Sequence, residues 1–488
     1  MLDIQKRLTN SFYAILSLPA TAMGFALCVQ IAALSWILNT KYGFDPHEVG
    51  IVWAAGPLAG IIGQVLIGVI SDNVWFWNGR RRPFILIGGV LASLMLLALP
   101  SIDVISASMG IDGILGVAIT IALLLDLAIN VSFNPTRSII ADVTPEGTHR
   151  TKGYTWMQTV SGSLSVGAYA IGVIWDNYVL IYSGVAVVFL TSFIPPFFIE
   201  EPRNLVGDEE NTVQEQSKTS FKEIVMAIQP LWGFLVYDVY AMTLRLAHIE
   251  VTHYWVEYAC LVVTIILVAQ SLAQSEDKGS LEESNKIGFR KVLAAHSFSW
   301  VGVHTMFVYM LFYIQDKYPM LSAVDQGRII SSSFLILNAV GALLPVLVLE
   351  PLSKKMGRVK AHFLCMATMA LGYMGLVLFG HLGQWIIYLL MAVCGVGWAA
   401  IISLPFAIMS QKVDQAKMGL FMGLFNLSVV LPQLVASLGV GYAINQVENK
   451  TLIFIISAVS LGISFVSWTM VKEEKSDSSS IPSGGGGH

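Results

Sequence analysis

The 488-residue chain is 55% hydrophobic and only 12% charged, with a formal net charge of −4 and a mean hydropathy of +0.69. Soluble domains carry about 25% charged residues, so a soluble enzyme and a nucleic-acid-binding protein are both excluded and most of the chain belongs in lipid. Fourteen apolar stretches are long enough to cross roughly 30 Å of hydrocarbon as helices; they cover 13–38, 49–70, 84–105, 112–141, 155–175, 178–199, 224–243, 254–272, 292–314, 329–350, 361–380, 384–409, 418–443 and 451–471.

The first stretch carries Gln30 alone among apolar neighbours. It is too long for a signal-peptide core and lacks a small-x-small cleavage site, so it is expected to be retained. In the second, Trp53, Pro57, Gly60 and Gln64 share a face at helical spacing, and the glycines equally permit close helix packing. Asp72 follows it, then a turn at Gly79 and the cations Arg80, Arg81 and Arg82. An acid and a cation cluster at the two ends of one loop suit a contact that breaks when the halves of a carrier rock, although arginines at this level also anchor a helix to headgroups.

The fourth stretch, ITIALLLDLAINVSF, places Asp126 halfway through an apolar helix, with Asn130 one turn away on the same face. A charge there costs roughly 2.5–3.5 kcal/mol even on the mildest insertion scale. Burial favours the neutral acid, so Asp126 can exchange a proton with either side as access alternates. A sodium site needs several converging oxygens, and the second stretch offers no carboxylate to join Asp126. The alternative is an acid buried against a structural amide. In the fifth stretch Gln158, Ser161 and Ser165 align.

Polar segments at 200–222 and 273–291 bracket the central pair, whose acids Asp238 and Glu257 are read as structural groups near its outer ends. Beyond the pair, Trp300 and His304 lie in the ninth stretch, and Asn426 and Gln433 lie two turns apart in the thirteenth. A lone membrane histidine is read as an interhelical hydrogen-bond group. The four cysteines, Cys28, Cys260, Cys365 and Cys394, match no disulfide or zinc spacing, and no metal or cofactor site is expected. The tail SSSIPSGGGGH reads as disordered linker.

With both termini in the cytoplasm, all but five of the 28 lysines and arginines fall on that side, the exceptions being Lys41, Arg245, Lys317, Arg328 and Lys450. The halves also echo one another. GVISDN with NGRRRPF parallels LEPLSKKMGRVKAHF, and the run from IIADVTPEG parallels AIMSQKVDQ. Such duplication is the mark of carriers that rock one repeat against the other. The expected organisation is a six-helix bundle at 1–199, a linker at 200–291 holding an inserted pair at about 224–272, a second bundle at 292–471, and a tail at 472–488.

The strings ALCVQIAALSWIL, WAAGPLAGIIGQVLIGVISD, GRRRPFI, LLDLAINVSFNPTRSIIADV, ISLPFAIMS and NLSVVLPQ, in this order, resemble the sucrose-transporter branch of the glycoside-pentoside-hexuronide:cation symporters in the major facilitator superfamily. The resemblance covers both halves. It implies a fold of two six-helix bundles, Asp126 as the proton-coupling acid, Asn130 as a sugar-contacting amide, and Arg137 and Asp142 among the residues gating the cytoplasmic side. His304 and Thr305 stand where plant members have an aromatic and a proline, and the inserted pair is absent from the plant pattern. A bacterial relative in an inner membrane, handling a maltose-like glucoside, fits these departures.

The expectation is therefore an all-α polytopic membrane protein that acts as a monomer and imports a disaccharide, sucrose or a maltose-like glucoside, together with a proton. Gln30, Trp53, Gln64, Gln158, Asn130, Asn426 and Gln433 are the candidate sugar contacts, since planar amides and an aromatic face suit a neutral polyol. A facilitator or exporter of a larger glycoside and a non-transporting sugar sensor remain alternatives. No paired carboxylates and no nucleophile with a base lie in the membrane, so an enzyme is not expected.

Overall fold

The structure, a computed structural model, describes residues 3–60, 70–71, 74–111, 113–145, 148–203, 221–247, 249, 253–276, 280–413 and 418–473. Within these residues it is helical, apart from turns and one isolated bridge between Phe76 and Gly79. The first half contains α1 (Asn10–Thr40), α2 (Pro46–Trp53), α3 (Arg82–Ala98), α4 (Ile114–Val143), α5 (Thr148–Ile174) and α6 (Asn177–Phe193). The central pair is α7 (Trp232–Leu246) and α8 (Trp255–Ala273). The second half contains α9 (Leu281–Lys317), α10 (Ala323–Leu344), α11 (Arg358–Phe379), α12 (Gln384–Met409), α13 (Met418–Val435) and α14 (Leu452–Thr469).

Twelve helices among the described residues are long and apolar enough to cross a membrane, which corrects the count of fourteen. Of the two that differ, the seventh has a physical cause. In the seventh stretch Pro230 lacks the N–H that a continuing helix needs, so a short helix at Phe221–Ala227 ends, a 3₁₀ turn follows at Gln229–Leu231, and α7 keeps only 15 residues. At helical rise that is about 22 Å, short of the hydrocarbon thickness. The second stretch lies partly outside the described residues, as do Gln64, Asp72 and the tail after residue 473. What is described of it starts in a capping box, with the Glu48 N–H donating to Asp45 at 2.8 Å and the Asp45 N–H donating to Glu48 at 3.0 Å.

α1 and α9 are apolar on every side and buried on nearly every side, as expected of helices at the centre of a bundle. The packing partners repeat. α1 lies against α5 and α6 as α9 lies against α13 and α14, and α3 lies against α4 and α6 as α11 lies against α12 and α14. This is two six-helix bundles of one design. The central pair attaches to the second bundle, α7 on α13 and α8 on α9.

The face that carries residues 3 and 473 is here the terminal face, and the opposite one, with the α1–α2 turn, the distal face. Most described hydrogen bonds between residues 3–203 and 281–473 lie toward the distal face, and one, between Tyr169 and Asn338, joins α5 to α10 nearer mid-depth. Ser35 donates to the Val308 carbonyl at 2.7 Å, Trp36 to that of Ala323 at 2.7 Å, and Gln315 to the Asn39 amide oxygen at 2.7 Å. Ser331 meets Asn177 at 3.0 Å and Asn445 meets Asp45 at 3.0 Å. Gly50 makes the approach of α2 possible, since a Cβ there would overlap the Ser437 carbonyl and the Tyr309 hydroxyl. Among the described residues the hydrogen bonds between the halves are thus concentrated toward one end.

Candidate functional site: a carboxylate held by α1, α2 and α4

Asp126 sits mid-way along α4 and is 6% exposed. Its Oδ2 accepts from Gln30 Nε2 on α1 at 3.0 Å, the one hydrogen bond described for this carboxylate. Gly56, in the residues continuing α2, lies over the same oxygen, and an added Cβ would stand 3.2 Å from it. Three helices of the first half therefore converge on one acid, and no described cation forms an ion pair with it. A carboxylate with one neutral amide donor gains a proton without breaking an ion pair, which a salt-bridged acid cannot do. Asn130 turns its Nδ2 back to the Asp126 backbone carbonyl at 2.8 Å, so this donor is committed to its own helix while the residue remains beside the acid. Among the described residues no group of three His, Cys, Asp or Glu side chains is placed to hold a metal ion.

The other candidates separate. Trp53 is buried at the junction of the halves, where its indole donates to Ser35 at 2.8 Å and its ring lies edge-on to His304 with centroids 5.8 Å apart. His304 bonds Ser437 at 3.0 Å, the interhelical role expected of it. Gln158 is exposed on α5, and Asn426 and Gln433 are half-buried on α13. Asp238, expected near water, is instead 2% exposed in the middle of α7, with no described partner for either oxygen.

An aromatic group that spacing did not single out stands in the second half. The half-buried Trp398 of α12 donates to Asn338 of α10 at 3.1 Å, and its ring meets Trp300 and Phe307 with centroids 6.1 and 5.3 Å apart. An amide beside an indole face is the pairing sought at Trp53. The sequence signal was present, because Trp398 stands at Asn130's place when IIAD is aligned with AIMS.

At the terminal face Arg81 is the organising residue. It is 6% exposed, its Nε donates to Asp142 at the end of α4 at 3.0 Å, and its Nη1 donates to Ser71 at 2.8 Å. Glu201, which sequence reasoning left in the polar linker, accepts the backbone N–H groups of Arg80, Arg81 and Arg82 at 2.8, 2.8 and 2.7 Å. A carboxylate on the free N–H groups of a helix start is favourable in both hydrogen bonding and dipole. Gly79 leaves room for it, since a Cβ there would lie 2.7 Å from Glu201. Arg82 reaches only the Asn78 carbonyl, and Arg137 is exposed over the Phe133 ring at 4.1 Å. Of the expected gating residues, Arg81 and Asp142 are brought together and Arg137 stands apart.

The sequence profile of the Major Facilitator Superfamily matches residues 16–437. The chain belongs to this superfamily, a family of carriers and not of enzymes. Among sequences similar to it, the sucrose transport protein SUC4 of Arabidopsis thaliana is 22% identical over 86% of this chain and 82% of its own length. The sucrose transport protein SUT2 of Oryza sativa subsp. indica is 24% identical over 86% of this chain and 84% of its own. A general alpha-glucoside permease of Schizosaccharomyces pombe is 29% identical, and this chain spans 31% of that permease. These relatives fall in the sucrose-transporter branch that the motifs resemble. The fold is shared with the nucleoside transporter NupG, with a TM-score of 0.60 and 12% identity over 96% of this chain and all of that one. It is shared too with a peptide transporter POT, at 0.59 and 16% identity over 94% of each.

Proposed function

We propose that this superfamily member imports a disaccharide, sucrose or a maltose-like glucoside, with a proton carried by Asp126. One observation carries the reading: a membrane-buried acid whose described side-chain partner is an amide, Gln30, and not a cation. The relatives named for sucrose and alpha-glucosides support a sugar as the co-passenger, and the pairing of Asn338 with Trp398 in the second half offers an amide and an apolar ring face of the kind a sugar needs. Residues 1–199 and 292–471 are taken as the two rocking bundles, joined through 200–291, and the chain as a working monomer.

The distribution of cations favours a cytoplasmic terminal face. On that orientation most described hydrogen bonds between the halves lie at the outer side, which supports an arrangement that receives or releases solute at the cytoplasm. Protonation removes the charge from Asp126 and turns one oxygen into an O–H donor for a sugar hydroxyl. The loaded, neutral site then crosses without the cost of a naked carboxylate. On release, Gln30 remains to stabilise the returning anion.

The test is Asp126→Asn in proteoliposomes. Uphill uptake driven by a pH gradient is expected to fall to background while sugar counterflow persists. Proton-driven accumulation at the wild-type level by this variant would overturn the assignment.

A further inference from the structure

The central pair α7–α8 has no counterpart in the six-plus-six repeat, and the space it encloses with α9 and α13 is a cavity of about 830 Å³. The cavity runs along α7 from Gly233 to Arg245, roughly 18 Å at helical rise. Phe234, Leu261 and Phe298 line its apolar part, and Tyr254, Tyr258, Leu438 and Tyr442 line its distal end. Tyrosines at that level mark a headgroup boundary. Leu261 and Ile265 of α8 are more than half exposed, so the neighbouring wall faces the bilayer.

Three charged or polar groups line the distal end of this apolar space with bonding capacity unused. Arg245 Nη2 donates to the Leu438 carbonyl at 3.1 Å, but its buried Nη1 has no partner. Buried His47 Nδ1 and Glu257 Oε2 likewise have none, and no ion pair joins Arg245 to Glu257. Buried polar atoms are satisfied in native proteins by protein, water or ligand. An anion alone would leave the Glu257 carboxylate with only the Tyr240 hydroxyl and no cation, a cation alone would leave Arg245 without an anion, and a plain hydrocarbon would leave both.

We infer that this cavity holds one zwitterionic phospholipid, its phosphate on Arg245 and His47, its ammonium on Glu257, and an acyl chain laid along α7 toward Gly233. Basic pockets between membrane helices are known receptors for lipid headgroups, and the added carboxylate selects for the zwitterion. The position links the lipid to the carrier's motion. Arg245 holds Leu438 in the π-helical segment Ala436–Val440, whose Ser437 bonds His304 and packs on Gly50 at the distal junction. A filled site steadies the junction that closes the distal side.

The experiment is native mass spectrometry of the chain purified from bilayers containing equal phosphatidylethanolamine and phosphatidylglycerol. The wild type is expected to retain one phosphatidylethanolamine per chain, and the pair of substitutions Arg245→Gln and Glu257→Gln to retain at least tenfold less. Leu261→Trp, at a cavity-lining position that is more than half exposed, narrows the acyl channel while keeping Arg245 and Glu257, and it must lose the lipid too. A readout that needs no variant is the rate of sugar counterflow by the wild type, expected to be several-fold higher in phosphatidylethanolamine than in phosphatidylglycerol vesicles. Preferential retention of phosphatidylglycerol, retention of no lipid, or equal retention by wild type and variants would each overturn the inference.

Discussion

At the turn before α3, Glu201 accepts three backbone N–H groups, and at the matching turn before α11, Glu473 accepts those of Arg358 and Val359 at 2.9 and 2.7 Å. Both carboxylates follow the last helix of their own half, and both lie against a glycine, Gly79 or Gly357, where a Cβ would come within 2.7 Å. Around this shared cap the halves differ. Arg81 reaches Asp142 in the first, whereas the corresponding positions in the second are Val359 and Ser410. Deeper in, Cys394 stands in the place of Asp126 and Trp398 in that of Asn130. What duplication preserved is the scaffold, and what diverged at these matched positions is the chemistry: an acid and an ionic clamp in the first bundle, an aromatic surface in the second, whose own buried ions, Lys412 and Lys291, meet Glu276 from the linker instead.

The largest expected effect comes from breaking the clamp. Removing one partner of a buried ion pair costs about 3–5 kcal/mol, and Arg81 and Asp142 have side chains only 8% and 10% exposed. Asp142→Asn is expected to lower the initial transport rate at least tenfold and to reduce thermal stability, while Ser410→Asn at the equivalent site leaves both within twofold. Equal losses at the two positions would mean that the clamp has no role peculiar to the first half. The caps should behave in the opposite way, alike in both halves. Glu201→Gln and Glu473→Gln each remove charge from a helix start, an effect of about 1 kcal/mol, and each should lower the midpoint in a thermal-shift assay by a similar amount.

The same comparison explains what was legible in the sequence. The apolar runs gave the helices, because length and hydropathy are local properties, and Asp126 stood out because its neighbours are apolar. Pro230 was equally local, and reading it as a break would have shortened the seventh span. Glu201 was not legible. It lies about 120 residues from the N–H groups it caps, and nothing in EEPRNL distinguishes a cap from a solvated linker. Trp53 looked like a sugar platform because a face drawn on one helix does not say which other helix covers it. Here α9 covers it, through His304.

Between these extremes lies Gln30, whose hydrogen bond to Asp126 exists only in the first half. A hydrogen bond to an ionised group contributes about 1.5–3 kcal/mol. Gln30→Ala is therefore expected to slow proton-driven uptake about tenfold, since 1.4 kcal/mol corresponds to that factor. Counterflow, in which the acid need not return empty, should fall less. Equal losses in the two assays would show that Gln30 serves sugar binding and not the return of the charged acid.

The smallest effect is expected at an exposed ion pair of the second half. Lys354 meets Glu350 at 2.7 Å within one helical turn, but the side chains are 74% and 59% exposed, so water screens the attraction and two long side chains lose freedom to form it. Lys354→Ala should leave the thermal midpoint and the transport rate unchanged within error, although Lys354 belongs to the cation cluster that echoes Arg80–Arg82. A tenfold loss in this variant would place a second gate at the α10–α11 turn and make the halves equal partners at the terminal face. An unchanged rate, set beside the loss at Asp142, would exclude the exposed α10–α11 turn and leave the buried contact of Lys412 with Glu276, at 3.1 Å, as the second half's counterpart of the clamp.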